Sequence, residues 1–275
     1  MKLLLLTLLP TLALATFSSG IGPVSSHGNF FKSILSSSFD ARDYWPECEQ
    51  FIGKVFDQGC CALSYAIAPT SVMSDRTCIN TETMREYSAN YVAGCCETCA
   101  ESVEGSSCRE VGDGDAWQVW RYWIRHGITS EQCGAAGERD GCYNPKCLGE
   151  CQQDDVKLAF DLVQGEYVYS VGSSVRDIQA EILTFGPVQS TIGFHDDFTK
   201  YEGGVYNSVG NGSLLGEHHV KIIGWGQEDK EDYWLGVNSF GKEWGIEGLF
   251  KILRGVDFLG IESNVVAGLP FENYD

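Results

Sequence analysis

Positive charge is scarce in this chain. Among 275 residues, 19 are Lys or Arg against 38 Asp or Glu, for a formal net charge of −19. That deficit excludes binding to nucleic acid or to an anionic membrane through a general positive field. The acidic residues are scattered along the chain, which reads as a solvated surface. Long apolar runs are missing as well: after the first fifteen residues, no stretch is long and apolar enough to cross a bilayer. No internal repeat is visible. Residues 1–15 read as a secretory signal, with Lys2 as its positive end, an apolar run over 3–9 and a small-residue cleavage site at Ala13-Leu14-Ala15. Beyond it, roughly 260 residues remain, enough for one large domain or two halves sharing a cleft.

Cysteine, by contrast, is abundant. Twelve cysteines behind a signal sequence read as a disulfide framework. The rival reading is zinc, because Cys95-Cys96-x-x-Cys99 and Cys147-x-x-x-Cys151 have ligand-like spacing. An oxidising compartment favours the bridges. The even count fits six of them, but a count gives no connectivity.

Residues 16–38 are rich in Ser and Gly, with one apolar patch over 30–35, and read as a flexible lead-in. Residues 64–78 read as a helix, with Tyr65, Ala68, Val72 and Met73 at helical spacing; Pro69 inside it is expected to produce a local kink. A second helix is expected over 115–125, where Trp117, Trp120 and Ile124 share a face and read as core packing. The texture changes after Asp155. A short helix over 175–183 is followed and preceded by β-rich pieces at 167–171, 188–194, 220–225, 233–238, 249–253 and 264–267, broken by glycine. The first half is therefore helical and cysteine-rich, and the second a sheet or barrel. Asn211-Gly212-Ser213 is the only glycosylation sequon, in a loop where a glycan on Asn211 is tolerated.

Three stretches carry chemistry. Residues 57–67 read D-Q-G-C-C-A-L-S-Y-A-I, residues 216–226 read G-E-H-H-V-K-I-I-G-W-G, and residues 233–245 read Y-W-L-G-V-N-S-F-G-K-E-W-G. Together they resemble the catalytic segments of papain-family cysteine proteases of the cathepsin B type. The likeness extends over nearly the whole chain after residue 38: Phe39-Asp40-Ala41-Arg42, Trp45-Pro46-x-Cys48, Ser74-Asp75-Arg76-x-Cys78-Ile79, and stretches at 182–188, 203–206, 250–255 and 260–266. It implies an α+β papain-like domain over 39–270, with a helical half (about 39–155), a β-barrel half (about 156–270) and a cleft between them. It also implies the bridges Cys48–Cys78, Cys61–Cys108, Cys95–Cys147, Cys96–Cys99 and Cys133–Cys151. Cys60 and Cys142 are left over, and a bridge between them, foreign to the family, is expected.

In the family, a thiolate at a helix N-terminus pairs with an imidazolium, an Asn orients the His, and a Gln side chain with a backbone N–H holds the oxyanion. The resemblance places the His at His218, the Asn at Asn238 and the Gln at Gln58. Each type also has a plain structural use, Gln58 in a loop and Asn238 in a turn, but three matches at family spacing speak against coincidence. The nucleophile position holds Ser64, not Cys. A serine hydroxyl has no thiolate-like state near neutral pH, so Ser64 depends wholly on general-base help from His218. The site is dimensioned for sulfur, and a misplacement on the order of 1 Å can cost about 100-fold in rate.

Further departures point the same way. Tyr65 stands where the family has Trp, and Phe240 where a Trp shields the Asn–His pair. Glu217 and His219 replace the Gly and Ala flanking the His; the Glu-His-His run raises a metal site, but no third ligand is evident. After Cys108 the family's glycines become Glu110 and Val111, whose side chains obstruct close approach of a peptide backbone. The family's acid in the pocket for the second substrate residue becomes Asn264. Residues 134–146 carry no His, so C-terminal dipeptide removal is not expected. The full inhibitory segment of the family zymogens is also not expected in the short stretch over 16–38. The primary expectation is a secreted, catalytically inactive relative that binds a peptide or protein, such as a protease inhibitor, with no cofactor or metal; a lysosome- or endosome-like compartment is the other location considered. A weak hydrolase using Ser64 with His218, and a structural or storage protein of a secretion, are the alternatives.

Overall fold

A computed structural model describes residues 36–100, 114–134, 145–153 and 155–271. The expected signal sequence and most of the lead-in, together with Cys108, Glu110, Val111 and Cys142, lie outside the described residues.

A short strand β1 (Phe39–Asp40) leads into two brief helices, α1 (Ala41–Tyr44) and α2 (Glu49–Ile52). Asp40 caps α1 by accepting from the Arg42 N–H, at 2.9 Å. The central element is α3 (Ser64–Thr81), whose residues from Ser64 to Cys78 are all buried. A helix enclosed on every side has no polar face to spare, and its polar residues must find partners inside. Thr70 Oγ1 donates to the Ala66 carbonyl and Ser74 Oγ to that of Thr70. The helix runs unbroken through Pro69, which lies in its second turn, and extends three residues past the expected end before Glu82 closes it in the left-handed region.

Next come α4 (Ala89–Cys95), capped by Ser88, and α5 (Ala116–His126), capped by Asp115. With α3 they enclose a core around Tyr87, Trp120 and Trp123. After α6 (Leu158–Asp161) come β2 (Gly165–Ser170), α7 (Val175–Phe185), β3 (Val188–His195), β4 (Val205–Tyr206), β5 (Leu214–Glu228), β6 (Glu231–Val237), β7 (Leu249–Leu253) and β8 (Val265–Pro270). Their order in one sheet is β2-β8-β3-β5-β6-β7-β4, with β1 added on β5. A second core, around Phe198, Trp225, Trp234 and Phe250, fills this half.

The expected closed barrel is corrected to an open sheet: β2 and β4 are its two ends and do not pair with each other. Strand β4 contributes only two residues, paired parallel to β7. Strand β2 is covered by α5 instead, where Gly165 lets the Trp123 ring come so close that a Cβ would stand 2.4 Å from it. Strand β5 starts six residues earlier than its apolar pattern suggests. Its polar entry, Gly216-Glu217-His218-His219, is held by pairing with β3, Ile192 opposite His218 and Thr191 opposite His219.

The helical half and the sheet meet where α3 packs on β5. There Lys221 of β5 is buried and reaches Asp75 of α3 at 2.9 Å, Ser71 Oγ at 2.7 Å and the Phe51 carbonyl at 3.1 Å.

Candidate active site

Ser64 is the first residue of α3, and its hydroxyl lies at the positive end of the helix. It faces β5 at a point where the strand has lost one neighbour. Pairing between β5 and β6 ends at Lys221 opposite Val237, so further toward its start β5 pairs only with β3. The N–H of His219 is thereby available to α3, and it donates to Ser64 Oγ at 3.2 Å. The Ser64 oxygen thus already accepts a backbone hydrogen bond from the residue after His218.

His218 and Asn238 lie side by side. His218 Nε2 lies 2.7 Å from Asn238 Oδ1, which also accepts the Ser239 N–H at 2.8 Å. An oxygen accepting two bonds requires the proton on Nε2 and leaves Nδ1 of His218 as the acceptor nitrogen. The ring is 3% exposed. Phe194 stacks against it at 5.1 Å between centroids, and Phe240 lies tilted beside it at 4.8 Å; the two phenylalanines are 5.9 Å from each other. Burial among these rings holds the imidazole down to about 4, against the raising effect of Asn238. His218 is therefore neutral through the mildly acidic and neutral range.

Gln58 is buried beside the same loop. Its backbone N–H donates to the Ser239 carbonyl (2.8 Å), its Oε1 accepts from Ser239 Oγ (2.6 Å), and its Nε2 donates to the Cys61 carbonyl (2.8 Å). One of its two amide hydrogens is thus committed within its own turn. An isolated bridge between Asp57 and Phe240 and a bond from the Gly241 N–H to the Phe56 carbonyl pin the two loops together. Ser64, His218, Asn238, Gln58 and Phe240 consequently occupy one region where α3, β5 and the loop after β6 converge.

Asn264 lies exposed in the turn before β8, and its carbonyl accepts the Thr191 N–H at 3.2 Å. His219 is not arranged as a metal ligand: Nδ1 is 2.9 Å from Thr191 Oγ1 and Nε2 is 3.1 Å from the Gly114 carbonyl. Cys133, Cys151 and Asp161 approach one another, but the two sulfurs are bonded to each other. The bridges Cys48–Cys78, Cys95–Cys147 and Cys96–Cys99 are also present. Cys60 and Cys61 are each disulfide-bonded; Cys142 and Cys108, expected opposite them, fall outside the described residues. Asn211 is exposed in a turn. Among the described residues, no helix is long and apolar enough to cross a membrane.

Four contributors escaped the sequence reading: Phe194, Ser239, Thr191 and Gly114. Ser239 follows Asn238 directly, and a hydroxyl there was the one available signal. Thr191 meets His219 across a separation of 28 residues. That pairing is fixed by strand register, for which the sequence carries no local mark.

Residues 35–269 match the pattern of the papain family of cysteine proteases. "Cathepsin B-like cysteine proteinase 6" of Caenorhabditis elegans is 36% identical over 263 residues, covering 86% of this chain and 67% of that protein. "Cathepsin B-like cysteine proteinase" of Schistosoma japonicum is 32% identical over 262 residues, covering 86% and 73%. The solved structure of procathepsin B S9 from Trypanosoma congolense superposes with a TM-score of 0.80 at 30% identity, covering 93% of this chain and 84% of that one. With Ser64 at the start of α3 bonded to β5 beside the His218–Asn238 pair, this chain belongs to the papain family of cysteine proteases and is cathepsin B-like.

Proposed function

We propose that this chain is a catalytically silent cathepsin B-like protein, routed through the secretory pathway, that acts by binding a peptide or protein partner. The observation that carries the reading is the state of the nucleophile position. Papain-type chemistry needs a thiolate and an imidazolium that stabilise each other. Here the helix N-terminus presents the Ser64 hydroxyl, whose oxygen accepts from the His219 N–H. His218, held near 4 by burial, carries no charge at pH 5 to 7 to complete such a pair. Glu110 and Val111, in place of glycines, add to the same reading from the sequence side. The disulfides agree with an oxidising route, either to the outside or to a lysosome-like compartment. A partner built to occupy a protease cleft, such as a proteinaceous protease inhibitor, fits a protein that keeps the cleft architecture without the thiol.

One observation favours a second reading. The Asn238 bond leaves Nδ1 of His218 with its lone pair, the tautomer a general base for Ser64 would need. The experiment that separates the two is labelling with a fluorophosphonate alongside a peptide-amide hydrolysis assay. The binding reading expects neither labelling nor turnover. Stoichiometric modification of Ser64, abolished in His218→Ala, establishes the weak hydrolase instead.

A further inference from the structure

Trp225 lies six residues beyond His219 on β5, about 20 Å away at the rise of a strand. Here β3 no longer accompanies β5. Its pairing ends at Val188 opposite Ile222, and β1 takes the vacated edge, with Phe39 opposite Trp225 and Asp40 opposite Gly224. Two glycines permit this junction: a Cβ at Gly224 would overlap the Phe39 carbonyl, and one at Gly226 the Tyr233 hydroxyl. Between β1, α1 and the paired strands β5 and β6 the junction leaves a pocket of about 350 Å³. That volume lies at the lower end of the range of small-molecule sites.

The walls of the pocket are largely aromatic. Phe39 stacks on Trp225 at 4.8 Å between centroids, and Tyr44, 57% exposed, meets Phe39 at 5.3 Å. Tyr233 and Leu235 close the side toward β6. Two carboxylates complete the lining, in different states. Asp40 is held by Arg42, whose Nε lies 3.0 Å from Oδ1 and whose Nη2 lies 2.6 Å from Oδ2. Asp43, by contrast, has no hydrogen-bond or ion-pair partner among the described residues, nor have the hydroxyls of Tyr44 and Tyr233. The Tyr233 ring already attracts one cation, Lys251 Nζ at 5.1 Å, which is neutralised by Glu228. The pocket therefore presents ring surfaces, two unbonded hydroxyls and one uncompensated negative charge, and no cation lines it.

We propose that this pocket binds an organic ammonium ion, with its apolar stem against Phe39, Tyr44 and Leu235 and its head on Asp43. An ammonium group has three donors, which the carboxylate and the tyrosine oxygens can accept, and a ring face attracts it electrostatically. Asp43 repels an anionic ligand. A wholly apolar one would strip water from Asp43 and the two hydroxyls without replacing its bonds. The head and stem can come from a free alkylamine or from a lysine side chain. The site is separate from the Ser64–His218 region and does not rest on the function proposed above. Its test reads shifts at β1, α1 and β5, and neither turnover nor a partner of the cleft.

The experiment titrates the ¹⁵N-labelled full chain and follows its backbone amide signals. Three probes are compared: n-pentylammonium, Nα-acetyl-lysine methylamide and Nα-acetyl-norleucine methylamide. Saturable shifts at Asp43, Tyr44 and Gly226 are expected with pentylammonium. None are expected with the norleucine derivative, which has the stem without the charge. Shifts with the lysine derivative support a site open to lysine side chains, and their absence beside a pentylammonium response supports one for free amines. Asp43→Asn and Tyr44→Ala are each expected to weaken binding roughly fivefold, the scale of one exposed ion pair or cation–π contact. Both side chains are exposed, so both variants are expected to fold. No saturable shift at these amides, equal binding of the norleucine derivative, or an unchanged affinity in Asp43→Asn would each overturn the proposal.

Discussion

The proposed silence of this site rests on two side chains, Ser64 and His218. A cysteine at the first residue of α3 would gain from the helix N-terminus and from a positively charged partner. The partner here is His218, packed with Phe194 and Phe240 and neutral above about pH 4. Ser64→Cys should therefore yield a thiol that iodoacetamide modifies at pH 7, yet hydrolyse dipeptide amides far more slowly than an intact member of the family, because Phe240, Glu110 and Val111 remain. Full cathepsin-like turnover from that single change would refute the role given to Phe240, Glu110 and Val111. The same burial has a consequence for stability. The folded value near 4 lies below the ordinary 6.5, so between those limits the unfolded chain binds the extra proton. Stability from this group is complete above pH 6.5 and is lost as the pH falls to 4, by on the order of 3 kcal/mol. Urea midpoints of the parent and of His218→Phe, taken from pH 7 to 4, isolate the effect. The parent should fall more steeply, and parallel curves would mean that His218 is not a buried neutral group.

At the scale of elements, the contact of α3 with β5 determines the rest, and it contains a buried charge pair where apolar contact would be the simpler design. Burial raises Asp75 to about 6 and lowers Lys221, each against the pull of the other. Removing one partner leaves an uncompensated charge inside, so Lys221→Met should lose about 3–5 kcal/mol, while Asp75→Leu combined with Lys221→Met should recover most of that loss. Denaturant titration of the three proteins checks this, and additive losses in the double variant would show that the two residues are not coupled. This contact also marks the limit of what the sequence disclosed. The position of α3 and of strands β3, β6, β7 and β8 was legible from spacing and glycine punctuation, and Ser64, His218, Asn238 and Gln58 from three motifs. The first half of β5 was not legible, because Gly-Glu-His-His has no apolar alternation and becomes a strand only by pairing with β3. The open sheet was missed for a related reason: which strands form its ends is set by pairing between residues far apart in the chain. The role of His219 stayed hidden because both of its ring partners, Thr191 and Gly114, come from other parts of the fold.

For the whole molecule, each half carries a core of its own, a third cluster joins Cys48, Ile52 and Cys78 to Ile223, Val237 and Leu249 of the sheet, and the described disulfides tie the helical half and its irregular connections. Cys48–Cys78 links the segment before α2 to the end of α3 across a separation of 30 residues. It anchors the C-terminal end of the helix whose first residue is Ser64. Closing a loop of that length in the unfolded chain is worth about 3–4 kcal/mol in the chain-entropy account. For a domain of this size that converts to a Tm shift of roughly 10 °C. Replacing both cysteines by alanine should lower the Tm by about that amount. The loosening should begin where the bridge packs on the sheet, against Ile223, Val237 and Leu249, and leave the core around Phe198 and Trp234 closed. The same framework separates disulfides from the zinc reading of Cys95-Cys96-x-x-Cys99 and Cys147-x-x-x-Cys151. With Cys95–Cys147, Cys96–Cys99 and Cys133–Cys151 formed, no thiolate remains there to hold a metal. A chelator should leave the Tm unchanged, a phosphine reductant should lower it, and the unreduced protein should give no reaction with a thiol reagent. A titre of two thiols would exclude the Cys60–Cys142 bridge, and a Tm that falls with chelator alone would restore zinc as the organiser of the helical half.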